Sequence, residues 1–258
     1  MLSLRGLWRP LAVVGVSVGM AAGVADATVI IHDTFDTDVS YMLAGSTPTE
    51  VNLPGGTWVK GAGYSWATPN VDQAQDYLNL RENHTVAAIP LGDYGKNARL
   101  KIQADLQMTG MSGDIETGGM LLGFYSAVPA EDNKTPKENF TGLRIFRDGT
   151  ITLYHRGTSL GEVTGSPVGQ SVWHSLSFEV DTANGGIYNI NWDGDTTTYS
   201  FASLPITSED VAYAGVATDG GINGRGFADN FIVSIVPEPA GLAAIGLGMC
   251  ALWRRRRV

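Results

Sequence analysis

Across residues 28–236, polar and apolar side chains alternate with a period of two. In residues 98–107, the apolar Leu100, Ile102, Ala104 and Leu106 are interleaved with Arg99, Lys101, Gln103 and Asp105. Successive side chains of a strand point to opposite faces, so this run predicts a strand with one face in a core and the other in water. His174, Leu176, Phe178 and Val180 make a second such face, as do Leu143 with Ile145 and Ile151 with Leu153. Asp148-Gly149 separates the last two pairs, and Trp192-Asp193-Gly194-Asp195 joins the runs 187–192 and 196–201. Asp-Gly is a strong hairpin signal because both residues tolerate positive φ. No stretch holds a helical period for three turns. About a dozen runs of this kind are too many for one flat sheet and predict two packed antiparallel sheets. Residues 129–139 read as one polar loop, and neither an internal repeat nor a second-domain linker is visible.

Composition agrees with this picture. The chain has 258 residues, 43% hydrophobic and 17% charged, and its 33 glycines favour short strands joined by tight turns. Its one cysteine, Cys250, precludes a disulfide within the chain, and a core of this size needs none. Charge is distributed unevenly. Six of the 17 Lys and Arg lie near the ends (Arg5, Arg9, Arg254, Arg255, Arg256 and Arg257), but only two of the 26 Asp and Glu do (Asp26 and Glu238). The strongly acidic middle excludes a nucleic-acid partner bound through its phosphates.

The ends carry separate signals. Residues 1–27 read as a secretory signal peptide. Arg5 and Arg9 precede an uncharged apolar run over 11–22, and Ala25 and Ala27 are the small residues that signal peptidase reads, which predicts a mature start at Thr28. An uncleaved membrane helix is the alternative. At the other end Pro237-Glu238-Pro239 is followed by the apolar segment 240–253 and then by Arg254, Arg255, Arg256 and Arg257. The prolines lack amide donors and end the preceding strand. The apolar segment spans about 21 Å as a helix, against a hydrocarbon core of about 30 Å. The arginines fix the cytoplasmic side. This order resembles the PEP-CTERM sorting signal of Gram-negative bacteria. The resemblance implies that Pro237, Glu238 and Pro239 are recognised by an exosortase, a membrane protease, and that the four arginines are a cytoplasmic retention charge. It also implies a transient inner-membrane anchor, then release to the cell surface or extracellular matrix; a permanent single-pass anchor is the alternative. The expected layout is a signal peptide (1–27), a β-sandwich (28–235) and a sorting signal (236–258).

The middle resembles the laminin-G-like or concanavalin A-like sandwich family. The residues that carry the likeness are Asp33-Thr34-Phe35, the run Gly119 to Phe124, the run Trp173 to Val180, and Phe227 to Phe231. The resemblance implies an all-β, two-sheet antiparallel jelly roll whose first and last strands pair, bringing Asp33 near Asp229. It also makes calcium a candidate cation, with Asp33, Asp36, Asp219 and Asp229 as candidate oxygen donors, although none forms an EF-hand-type loop.

The family includes glucanases, so catalytic carboxylates are the first chemistry to test. Glu179 and Asp181, two apart on a strand, share a face and resemble the start of a Glu-x-Asp-x-(x)-Glu motif. Where the second Glu belongs the chain has Ala183 and Asn184, so the motif is incomplete. Asp114 and Glu116 have the same spacing within a glycine-rich stretch. His32, His84, His155 and His174 have no zinc-site spacing, and no Gly-x-Ser-x-Gly elbow is present. Sugar-binding faces use exposed aromatic rings beside polar groups. Trp58, Tyr64 and Trp66, in a glycine-rich segment, are the candidate glycan contacts; the alternative is that Trp58 and Trp66 cap the core. The expected protein is a non-enzymatic, exported sandwich that binds or associates with extracellular polysaccharide. A glycan-active hydrolase or lyase and a purely structural matrix protein are the alternatives.

Overall fold

The computed structural model describes residues 27–35, 43–60, 70–72, 77–81, 85–96, 98–109, 119–129, 137–146, 148–164, 172–202, 204–219 and 225–237. Its first eight strands are β1 (Thr28–Asp33), β2 (Glu50–Val51), β3 (Val59–Lys60), β4 (Asn70–Asp72), β5 (Tyr77–Arg81), β6 (Val86–Pro90), β7 (Arg99–Thr109) and β8 (Gly119–Tyr125). The second eight are β9 (Phe140–Phe146), β10 (Thr150–His155), β11 (Thr158–Thr164), β12 (Trp173–Asp181), β13 (Gly186–Trp192), β14 (Asp195–Ala202), β15 (Tyr213–Asp219) and β16 (Arg225–Ile235). The remaining regular elements described are two 3₁₀ turns, Gly92–Gly95 and Ser208–Val211.

The strands form two antiparallel sheets. One runs β14-β13-β12-β7-β16-β1-β2, with β5 also on β16 and β4 on β5; the other runs β11-β10-β9-β8-β15-β6-β3. These are the two antiparallel sheets that the periodicity predicts, in the jelly-roll sandwich that the family resemblance implies, and the first and last described strands pair, Thr28 opposite Ile235. β16 is flanked by β7 along its length, and on its other side by β5 and then β1.

The alternation in β7 is realised residue by residue. Leu100, Ile102, Ala104 and Leu106 are buried, and Arg99, Lys101, Gln103 and Asp105 are only partly so. Leu176, Phe178 and Val180 of β12 lie opposite them in the ladder, on the same face. Phe178 meets Phe124 of the other sheet edge-on, with ring centres 6.3 Å apart. Both Asp-Gly signals join paired strands, but at the first only Gly149 has positive φ (89°). Asp193 (φ 50°) and Gly194 (φ 77°) both take the left-handed conformation that a two-residue hairpin requires. In β8, by contrast, every residue is buried. Its second face lies in a separate apolar cluster on the outside of the seven-stranded sheet, formed by Val86, Ala88, Leu121, Tyr125, Phe140, Tyr154 and Ala217.

Ala27 is exposed just ahead of β1, and Pro237 follows β16 after Val236, whose N–H donates to Arg99 O at 2.8 Å. The other features expected of the ends (Ala25, Glu238, Pro239, the segment 240–253 and Arg254, Arg255, Arg256 and Arg257) lie outside the described residues. Among the described residues no helix is long and apolar enough to cross a membrane.

Candidate functional site

Trp58 does not sit where a sugar could reach it. It is 1% exposed, with its ring 5.2 Å from Phe231 and 5.8 Å from Phe35, and its Nε1–H donates to Asp33 Oδ2 at 2.7 Å. The sequence expectation of a glycan contact is therefore corrected to a core residue. The segment folds inward because a buried carboxylate offers the indole N–H an acceptor. Tyr64 and Trp66 lie outside the described residues.

Asp33 is corrected in the same way. Its Oδ1 accepts from Phe35 N (2.9 Å) and Thr49 Oγ1 (3.3 Å), and its Oδ2 from Trp58. Burial pushes its carboxyl above the usual carboxylate range, against the opposing pull of these donors. Asp33 lies opposite Phe231 on the core side, whereas Asp229 lies opposite Asp105 on the outer side of the sheet. A bulge between Asp229 and Ile232, with Asn230 at φ 48°, separates the two settings. First and last strands do pair, but the two carboxylates do not share a site. Asp219 is elsewhere again, paired with Arg144 at 3.3 Å and Lys137 at 3.9 Å, and Asp36 lies outside the described residues. Among the described residues no group of three or more His, Cys, Asp or Glu is arranged to hold a metal ion. The donor set expected for calcium thus does not assemble.

The carboxylate pair of β12 has structural partners. Glu179 is held by Arg99 Nε at 2.6 Å and Asn189 Nδ2 at 3.0 Å. Asp181 accepts from the backbone N–H of Ala183 and Asn184 and from Asn184 Nδ2, closing the β12–β13 turn. Burial raises its carboxyl, but these bonds and the charge of Arg99 outweigh burial and hold it below the usual range. His174 is a core-side residue as well, stacked on Trp192 with ring centres 5.0 Å apart and bonded through Nδ1 to Asp193 at 2.6 Å.

An exposed aromatic surface does exist, on the outer face of the nine-stranded sheet. Trp173 (38% exposed) and the adjacent Val172 (47%) are two of the three large apolar side chains in the open among the described residues. Trp173 opens β12 opposite Gln107, which lies opposite Phe227, which lies opposite Asn79 on β5. Residues opposite one another share a face, and their neighbours Leu106, Ala228 and Leu78 are in the core, so this row faces outward. The half-buried Tyr77 packs edge-on to Phe227 (4.6 Å) and to Trp173 (5.8 Å), joining them into one cluster. In the next row along β7, Asp105 lies between Ser175 and Asp229. Asn230 Nδ2 bridges the facing carboxylates, at 2.8 Å from Asp105 Oδ2 and 3.4 Å from Asp229 Oδ2.

No protein-family model matches this chain. Nor does any curated protein. Among solved structures, the carbohydrate recognition domain of Emp47p is similar at 13% identity and a TM-score of 0.45, over 79% of this chain and 96% of that one. The exoplasmic/lumenal domain of VIP36, in its Ca2+/Man2-bound form, is similar at 13% identity and a TM-score of 0.48, over 80% and 86%. Lectin II from Ulex europaeus is similar at 8% identity and a TM-score of 0.43, over 63% and 88%. The ligands named for those proteins are theirs.

The three rings of the outer face come from residues 77, 173 and 227 and meet through strand register alone. The one local signal was in β12, where Trp173 precedes His174 and so stands out of phase with the core-facing positions. An aromatic residue at a water-facing position of an alternating strand marks a surface ring.

Proposed function

We propose that this chain is an exported β-sandwich that binds extracellular polysaccharide through the outer face of its nine-stranded sheet without cleaving it. The observation that carries this reading is the exposed Trp173 ring, braced by Tyr77 and Phe227 and bordered by Gln107, Asp105 and Asn230. The CH faces of a pyranose stack on such a ring while amides and carboxylates take its hydroxyls. The engagement of Glu179 and Asp181 by structural partners supports the non-enzymatic reading. The sequence supports the rest: signal peptidase releases Thr28, and an exosortase-type protease recognises Pro237, Glu238 and Pro239 while the arginine cluster retains the tail.

A glycan array probed with residues 28–236, with and without calcium, tests the binding. Retention of a polysaccharide that is lost on Trp173→Ala is the expected result. Absence of binding to any glycan favours a purely structural matrix protein. Release of reducing or unsaturated sugar ends, abolished by Glu179→Gln, identifies a hydrolase or lyase instead. Intact-mass measurement of the surface-associated protein tests the sorting, and a mature form that retains Trp253 identifies a permanent anchor.

A further inference from the structure

Both ends of the sandwich leave it at one place. Thr28 lies opposite Ile235 in the β1–β16 ladder, and Ala27 just ahead of it is exposed. Val236 is tied to the start of β7 through its N–H bond to Arg99 O, and Pro237 follows directly. Partners in an antiparallel pair stand about 5 Å apart, so residues 27 and 237 depart from neighbouring strand ends.

The aromatic cluster belongs to the opposite end of the same sheet. Ile235 lies opposite Leu100 of β7, whereas Phe227 and Trp173 both lie opposite Gln107. The β7–β12 register is unbroken from Arg99 opposite Asp181 to Gln107 opposite Trp173, so the strand itself sets the separation. At about 3.4 Å per residue, the rise from Leu100 to Gln107 is about 24 Å. Polar contacts occupy the end near residues 28 and 236: Thr182 Oγ1 donates to Gly95 O at 3.0 Å, and Asp181 holds the β12–β13 turn. Of the exposed large apolar side chains described, Val172 and Trp173 lie at the far end of this sheet, and Leu160 is on β11 of the other.

We propose that the domain is a bridge, attached through the end of β16 at one end of the nine-stranded sheet and holding polysaccharide at the other. This rests on the glycan-binding reading above and, for the attachment, on the tail that continues from Pro237. While that tail is anchored, the Trp173 ring stands about 24 Å along the sheet from the point of attachment, and one molecule joins its anchor to the polymer. Trp173, Tyr77 and Phe227 keep their places throughout, because attachment at residue 237 involves none of them.

Surface coupling through single thiols tests this. Asp26–Glu238 packs as a compact unit of its own, and Cys250 is the only cysteine of the chain, so residues 28–236 accept one introduced thiol. Thr28→Cys puts it at the attachment end and Val172→Cys beside Trp173, both at exposed positions. Each variant is coupled to a maleimide sensor surface and titrated with soluble glucan and mannan, beside the uncoupled domain in solution. Coupling through Thr28→Cys is expected to leave affinity within about twofold of the solution value, and coupling through Val172→Cys to weaken it by about tenfold or more. Should Thr28→Cys lower the melting temperature, Pro237→Cys on residues 28–237 places the thiol on the neighbouring strand end and reads the same quantity. Binding in solution that is lost on the surface coupled at residue 28 or 237 overturns the bridge and leaves the glycan-binding reading standing. Equal binding on the two kinds of surface puts the site away from Trp173 and also overturns the bridge. Absence of binding in solution overturns both readings.

Discussion

Replacing Trp58 with Phe separates a core role from a surface role, because the two predict opposite readouts. The substitution keeps a ring against Phe35 and Phe231 but removes the N–H that Asp33 Oδ2 accepts at 2.7 Å. A hydrogen bond to a charged group contributes about 1.5–3 kcal/mol, and the smaller ring forfeits about 1 kcal/mol of apolar burial. The expected loss is therefore about 3 kcal/mol, read as a lower urea midpoint by far-ultraviolet circular dichroism, with glycan binding unchanged. Asp33→Asn keeps an oxygen for Phe35 N and Thr49 Oγ1 but turns an amide donor toward the indole N–H. In a double-mutant cycle most of the hydrogen-bond energy should appear as coupling between the two positions. The pH dependence has a definite sign. Burial raises the Asp33 carboxyl, so between its unfolded and folded values the folded chain holds more protons. Stability from this group therefore falls as pH rises through that window, and the cost persists above it. Asp33→Asn abolishes that slope, and Trp58→Phe extends it upward by removing a donor that opposes the rise. A Trp58→Phe loss below about 0.5 kcal/mol, or a loss of glycan affinity at unchanged stability, refutes the clasp.

Three further outcomes can be measured independently. Asp210 is fully buried, and its Oδ2 accepts from Thr207 N (2.8 Å) and Oγ1 (3.1 Å), so Asp210→Asn should cost about 1–2 kcal/mol in a denaturant melt. Burial raises its carboxyl, but the bonds from Arg156 and Thr207 and the charges of Arg156 and His155 outweigh burial and hold it below the usual range. Its contribution is present above the ordinary carboxylate value and lost as pH falls through that value and then the folded one. The melting temperature of the variant should accordingly fall less steeply below about pH 4. Glu179→Gln should lower stability by about 1 kcal/mol through the partly buried Arg99 pair while leaving reducing-end release from glucans unchanged from background. Gly215→Ala drives a methyl against Ala87 O and Ala88 in the adjacent strand, and calorimetric melting should show a loss of about 1–3 kcal/mol.

The sheets were legible wherever one face of a strand is wet. β7 and β12 alternate because water covers their outer side, and the Asp-Gly hairpins announce themselves by conformation. β8 gives no alternation because its outer face is also covered, and β2, β3 and β4 have two or three residues each, too few to set a period. The sequence leaves Trp58 open between a glycan contact and a cap on the core, because a glycine-rich, aromatic-rich segment looks the same whichever way its ring turns; the structure takes the second. Asp33 and Asp229 were correctly expected on pairing strands, but the bulge at Asn230 puts them on opposite faces. The Tyr77–Phe227–Trp173 cluster was beyond sequence, since rings so far apart along the chain meet only once register is known.

The last described strand is also among the most central. β16 supplies a ladder partner for β7, β5 and β1, so removing it takes one of two neighbours from each and splits the nine-stranded sheet. Contacts between residue 28 and residue 235 span almost the whole domain, the kind of long-range closure that makes folding slow. A chain emerging from its N-terminal end cannot complete this sheet until residues 225–235 have arrived. Until then β7 has no partner on the side where β16 belongs, and β1 and β5 are not joined to it. The topology thus makes closure of the nine-stranded sheet a late event in the synthesis of this domain.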